Sequence, residues 1–343
     1  MNIKSLLLGS AAALAAVSGA QAADAIVAAE PEPMEYVRVC DAFGEGYFYI
    51  PGTETCLKVG GYVRFQVDYG RGANGFNDGD WDAWTRGRVA FTSKSDTELG
   101  ELTGFIAIHG ESSRDNSGST AEDNFYFDEV YLQLGGFKAG TYLSWWDNDL
   151  PGELDFLSNQ TRFTSIAYIY SGDAFTAGLQ VDELSDDFES NSFVYGRDGN
   201  DVGLEGVIQA TLGPATLEVL GSYDFGAEDG AVRVWGSVEV GPGTLHVAGI
   251  YASGANAYYT AAEATVSVAY AFKATDKLEI IPEFQYFWDT ETDADGDFGG
   301  ENDWAAGATV NYQIVEGLTS KVSVGYHDVA DTWSGIVRLQ RDF

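Results

Sequence analysis

Three histidines, His109, His246 and His327, are the residue types in this 343-residue chain best suited to moving protons or binding transition metals. They stand far apart, and none sits in a His-Glu-x-x-His or comparable ligand spacing. A serine hydrolase needs a histidine fixed between a serine and an orienting carboxylate, and no segment suggests that arrangement. The acidic run Asp289-Thr-Glu-Thr-Asp-Ala-Asp-Gly-Asp297 approaches the spacing of a calcium loop. It fails the template, because Phe298 stands where glycine is needed and Trp304 where a bidentate glutamate belongs. The sequence therefore predicts no catalytic residue, no resident metal and no cofactor, and the chain reads as a non-enzyme.

The remaining chemistry is that of fixed charge. Lys58 and Arg64 alternate with Val59, Val63, Phe65 and Val67, and Arg86, Arg88 and Lys94 alternate with Val89 and Phe91. Arg338 alternates with Val337 and Leu339 near the far end. A period of two places the cations on one face of a strand and the apolar residues on the other. If the first and last strands pair, Lys58, Arg64, Arg86, Arg88, Lys94 and Arg338 line one basic wall. Between residues 147 and 160 lie Asp147, Asp149, Glu153 and Asp155, with no basic residue before Arg162. A basic wall facing that acidic loop would set a transverse field across a channel, and charge at a narrow point governs what passes. The competing reading puts the same cations near the rims, paired with loop carboxylates and away from any constriction.

These residues need strands to hold them, and period-two alternation dominates from Leu57 onward. Short connections fall near Asp96-Thr97-Glu98, Gly135-Gly136, Ser171-Gly172-Asp173, Gly213-Pro214, Gly241-Pro242-Gly243, Ala274-Thr275-Asp276 and Glu316-Gly317. Between them lie longer polar connections, such as Gly70 to Trp81, Leu184 to Asp201 and Thr290 to Asp303. Short turns alternating with longer loops are the connectivity of an outer-membrane barrel. The pattern predicts an all-β chain: a transmembrane antiparallel β-barrel of about sixteen strands with short periplasmic turns and longer outer loops. A barrel of that size is wide enough to hold water. Strands are expected at 57–70, 84–96, 98–112, 124–136, 137–147, 161–172, 174–184 and 203–213. The second half is expected at 214–225, 230–241, 243–253, 259–273, 276–290, 302–315, 318–330 and 332–343. Pro282 cannot donate to a ladder and predicts a local irregularity. Trp145-Trp146 and Tyr168 with Tyr170 are expected to belong to interfacial aromatic girdles.

The termini and composition agree with export. Lys4 followed by the apolar run Leu6 to Val17 and Ala20-Gln21-Ala22 has the form of a secretory signal peptide. Residues 1–22 are expected to be removed, leaving an N-terminal segment 23–56 and a barrel 57–343. The formal net charge is -35, which argues against nucleic-acid binding and, for a channel, favours a mild preference for cations. The two cysteines, Cys40 and Cys56, are an even pair in an exported chain and predict a disulfide. The closing stretch Gly335-Ile-Val-Arg-Leu-Gln-Arg-Asp-Phe343 alternates and ends on an aromatic residue, which has the form of a barrel-assembly signature.

Two segments carry a resemblance to a known family. The stretch Ala23-Asp-Ala-Ile-Val27, then Glu35-Tyr-Val-Arg-Val-Cys40 through Cys56-Leu-Lys-Val-Gly-Gly-Tyr-Val-Arg64, resembles the porins of alphaproteobacteria of the Rhizobiales type. Phe127-Asp-Glu-Val-Tyr-Leu-Gln-Leu-Gly-Gly136 is similar to their fourth-strand segment. The resemblance implies a general diffusion porin in the bacterial outer membrane, in contact with lipid and lipopolysaccharide, forming a homotrimer and passing small hydrophilic solutes and ions. It also implies a third outer loop folded into the lumen, although Asp147 to Gln160 is short for that role. Alternatives are a substrate-selective channel for sugars or another solute, a non-conducting anchoring barrel and a soluble secreted β-protein.

Overall fold

The computed structural model describes residues 38–70, 81–113, 123–154, 156–184 and 200–343. The predicted signal peptide, residues 23–37, and Asp155 lie outside the described residues.

A short strand β1 (Tyr47–Tyr49) precedes β2 (Cys56–Tyr69), β3 (Trp81–Thr97), β4 (Gly100–Ser113), β5 (Asp123–Leu134) and β6 (Phe137–Leu143). Next come β7 (Arg162–Ser171), β8 (Phe175–Leu184), β9 (Asp201–Leu212), β10 (Ala215–Asp224), β11 (Asp229–Val240), β12 (Gly243–Ala252), β13 (Ala264–Lys273) and β14 (Leu278–Trp288). A small hairpin, β15 (Glu291–Thr292) and β16 (Phe298–Gly299), leads to β17 (Asp303–Val315), β18 (Leu318–His327) and β19 (Thr332–Asp342). Setting aside β1 and the small hairpin, sixteen strands pair antiparallel in chain order, and β19 pairs with β2 to close the barrel.

Closure leaves no edge strand, so backbone donors and acceptors are satisfied between neighbours even where lipid offers none. Side chains follow the pleat. On β2, Val63 and Phe65 are 58% and 46% exposed, while Gln66 is 5% exposed. The exposed residues are the apolar ones. This inverts the usual soluble pattern and suits a hydrocarbon surround. The buried apolar cluster lies inside the barrel, built on Trp146, Leu157, Tyr258 and Tyr259 against wall residues such as Leu220 and Ile281.

Two strands stop four or more residues short of an expected limit. The segment predicted as 137–147 leaves the sheet at Leu143, because Ser144 Oγ accepts the Trp146 amide at 3.1 Å and caps a 3-10 turn at Trp145–Asp147. The segment predicted as 259–273 joins the sheet only at Ala264, because the residues before it turn into the lumen. The pairing of β14 with β13 lapses at Tyr270 and Ala271, beside Pro282, as a missing donor requires.

Cys40 and Cys56 form a disulfide with Cα atoms 6.0 Å apart. It ties the chain before β1 to the start of β2. Tyr47 pairs with Lys58 in register, and the ammonium groups of Lys58 and Lys94 lie 5.7 and 6.0 Å from the Tyr47 ring.

Candidate functional site

The connection from β6 to β7 folds inward and crosses the barrel. It is held by wall residues from strands distant in sequence. Arg233, fully buried on β11, donates from Nη1 to Trp146 O at 3.1 Å and from Nη2 to Trp145 O at 2.6 Å. Its charge is met by Glu218 Oε1 at 3.1 Å, and Glu218 Oε2 accepts from Asn148 at 3.0 Å. Further along, Glu283 Oε2 accepts the amides of Glu153 and Leu154, each at 3.0 Å. Gln285 pairs with the Phe156 peptide, accepting its amide at 2.7 Å and donating to its carbonyl at 3.0 Å. Gly178 and Gly325 let the loop approach the wall: an added Cβ would lie 2.3 Å from the Trp145 ring and 2.2 Å from Leu154. Burial of Trp146, Leu150, Leu154 and Leu157 contributes about 2 kcal/mol per side chain in gross terms.

A second segment, residues 253–263, enters the same space and braces the first. The Asn159 and Gln160 amides donate to Tyr258 O and Ala257 O at 2.8 and 3.0 Å. Tyr258 Oη donates to Asp182 Oδ2 at 2.7 Å, and the Ala257 amide donates to Asp224 Oδ2 at 3.0 Å. Asn256 Oδ1 accepts the amides of Tyr258 and Tyr259 and shapes the turn. The two segments share one apolar core inside the barrel.

The loop acid that meets the opposite wall is Glu153. Its Oε1 lies 2.5 Å from Lys321 Nζ and 2.9 Å from Arg338 Nη1, and its Oε2 lies 3.2 Å from Arg338 Nη2. Burial would raise its pKa, but the two cations outweigh burial and hold the carboxyl below the usual glutamate range. Asp147 and Asp149 are exposed near the start of the loop.

Four of the six predicted wall cations come together. Arg64 and Arg86 are paired across β2 and β3. Arg338 Nε donates to Gln66 Oε1 at 2.5 Å, and Arg64 Nε donates to Gln340 Oε1 at 2.7 Å, both across the closing seam. Among the described residues, Arg64 has no carboxylate within ion-pair distance. Arg88 joins the group on β3. Lys58 and Lys94 do not: each lies six residues along its strand from Arg64 or Arg88, about 20 Å, beside the disulfide, where Lys94 pairs with Glu101 at 2.7 Å. For these two, the rim reading fits the geometry.

The period-two reading missed the acids that sit within this wall. Arg86 is paired with Glu111. Arg88 Nε donates to Asp128 Oδ2 at 2.9 Å, and Arg88 Nη2 donates to Glu129 Oε1 at 3.1 Å. Asp128 also pairs with Arg162 and lies 3.2 Å from His109 Nε2. Two successive acids can face inward because β5 carries a bulge there: Ala107 pairs with Glu129 and Ile108 with Phe127, leaving Asp128 without a partner position. The signal lay in the sequence as a change of parity, from Phe125 and Phe127 to Val130 and Leu132. Lys321 and Arg233 were also missed.

The aromatic reading is corrected in part. Trp146 is wholly buried inside the barrel, its ring 5.1 Å from the Arg233 guanidinium, so it belongs to the loop anchor and not to a girdle. Tyr168 and Tyr170 are exposed on the outer face as expected.

A closed sixteen-stranded barrel with an apolar exterior, a charged lumen and an inward-folded third loop defines the porin class of outer-membrane channels. Residues 24–341 match the family model described as a porin subfamily, and the chain belongs to that family. It is 50% identical to a putative outer membrane protein of Sinorhizobium fredii, covering 100% of this chain and 99% of the relative. It is 48% identical to outer membrane protein IIIA of Rhizobium leguminosarum bv. viciae, over 96% and 91%, and 35% identical to porin Omp2a of Brucella melitensis, over 100% of both. Among solved structures it is similar in fold to the outer membrane channel DcaP of Acinetobacter baumannii, with TM-score 0.62 and 17% identity over 86% of this chain and 99% of that one. The protein is a general diffusion channel of the outer membrane.

Proposed function

We propose that solutes are sieved where the Glu153 loop meets the wall of Arg64, Arg86, Arg88 and Arg338. The observation that carries this reading is the double ion pair of Glu153 with Lys321 and Arg338, which fixes a negative loop tip beside a positive wall. In a narrow lumen with low-dielectric walls such charges act more strongly than in bulk water. Small hydrophilic solutes pass through the gap, while apolar ones must displace ordered water. Asp147 and Asp149, with Asp155, add negative charge on the loop side. The acidic composition keeps the overall preference for monovalent ions mildly cationic.

The channel works as a homotrimer in contact with lipid and lipopolysaccharide, a reading supported by the family. Residues 1–22 direct export, Phe343 marks the barrel for assembly, and the chain carries out no enzymatic reaction. The test is conductance of the refolded protein in a planar bilayer, with a size series of neutral sugars and a reversal potential in a salt gradient. Combined Arg64→Gln, Arg86→Gln and Arg88→Gln should raise conductance and strengthen cation preference. An unchanged reversal potential would reject the filter.

A further inference from the structure

Towards the short turns, beside Lys321 and Arg338, lies a cavity of 1010 Å³. Its charge is unlike that of the chain as a whole. Arg64, Lys273, Lys277, Lys321 and Arg338 line it, against Asp276 and Glu279. The acids are partly occupied: Glu279 faces Lys273 across β13 and β14 and accepts from Asn311 at 3.1 Å. Glu153, at the upper edge, shares one negative charge between Lys321 and Arg338. Among the described residues, Arg64 is bound to the neutral Gln340 amide alone and lies 4.8 Å from the Tyr62 ring centroid, and Lys277 Nζ reaches only Ile314 O, at 3.5 Å. Positive charge is left over, and it lies in a concave, low-dielectric enclosure where fields are focused.

From this arrangement we infer that the periplasmic half of the lumen holds a binding site for small dianions, such as phosphate or a short dicarboxylate, between the Arg64, Lys321 and Arg338 group and the Lys277 turn. Two negative charges select for the site because a monovalent anion can satisfy only one group of cations at a time. Charged guanidinium and ammonium donors make the stronger hydrogen bonds to such oxygens, and Gln313 lines the cavity as a further amide. A site of this kind would retard dianions in transit and give a channel of acidic composition a local store of them. The inference rests on the channel reading above, because the cavity must be reached through water.

The test uses the full-length protein in a planar bilayer carrying a potassium chloride current. Inorganic phosphate or succinate, added from the side of the short turns, should reduce the current saturably, whereas added chloride or sucrose should not. Lys277→Gln, at an exposed position, should weaken the block about tenfold, the effect of losing one charged contact. Arg64→Gln should weaken it to a similar degree. Block by either dianion, lost in these variants, supports the site. Current that changes only in proportion to ionic strength, or block unaltered in all variants, overturns it. Absence of any current in potassium chloride would instead defeat the channel reading itself.

Discussion

Glu283 on the barrel wall accepts the backbone amide of Glu153 at 3.0 Å, so one acid positions another. The wall carboxylate also accepts the Leu154 amide at 3.0 Å and the Thr309 hydroxyl at 2.8 Å. The loop tip is thereby held where the Glu153 side chain can reach Lys321 and Arg338.

Replacing Glu283 with Ala should free two backbone amides at the loop tip and loosen the contact of Glu153 with Arg338. We expect larger single-channel conductance and more current noise, with the barrel still formed. Each lost hydrogen bond to a charged acceptor is worth about 2 kcal/mol. Single-channel recordings beside a heat-modifiability gel separate a moved loop from a lost barrel.

Arg233→Met should have a greater effect on stability. Removing one partner of a buried pair leaves the other charge uncompensated, a loss of about 3–5 kcal/mol, and here Glu218 would keep, among the described residues, the donors Asn148 and Gln209. Adding Glu218→Gln should recover part of the loss. Urea titration of refolded protein, followed by tryptophan fluorescence, reads both, since Trp146 packs on the Arg233 guanidinium.

Acid titration of ion selectivity should report Glu153. Its pKa is held below the usual value by Lys321 and Arg338. A depressed folded pKa means the ion bridge is complete above the ordinary glutamate range and disappears as pH falls through the lower, folded value. The Glu153 contribution to the reversal potential, read as the difference between the native channel and Glu153→Gln, should therefore stay steady down to about pH 4.3, the ordinary glutamate midpoint. Below that it should move towards anions as the two cations are uncovered. Glu153→Gln should show the shifted selectivity at neutral pH and lose this step.

Cys40→Ser with Cys56→Ser removes a cross-link spanning a separation of 16 residues, worth about 3 kcal/mol to the segment it closes by the chain-entropy estimate. The barrel ladder does not depend on it. We expect unchanged conductance but faster cleavage by protease around residues 41–55, measured by limited proteolysis and mass spectrometry.

The strands were legible because alternation is a local property: each inward Arg64 or Arg338 is identified by its apolar neighbours. The bulge at Asp128 was also legible, as a parity change within five residues. The inward loops were not. Trp145 and Trp146 look like girdle residues until Arg233, 87 positions from Trp146, takes up the Trp146 carbonyl. The partners of Glu153, 168 and 185 residues away, follow no period that the loop itself contains. Loop sequence specifies a destination only through the wall it lands on.

The seam between β2 and β19 joins residues that are far apart in the chain. Gly61 and Phe343 exchange backbone hydrogen bonds at 3.0 Å in both directions, and the Arg64–Gln340 and Arg338–Gln66 contacts span separations of 276 and 272 residues. Contacts of such long range carry the largest loop-closure cost and belong to late steps of folding. The filter is therefore assembled by the same event that seals the cylinder. Until β2 and β19 join, Arg64 and Arg338 belong to two separate edges, so the channel cannot be a selective pore before it is a complete one.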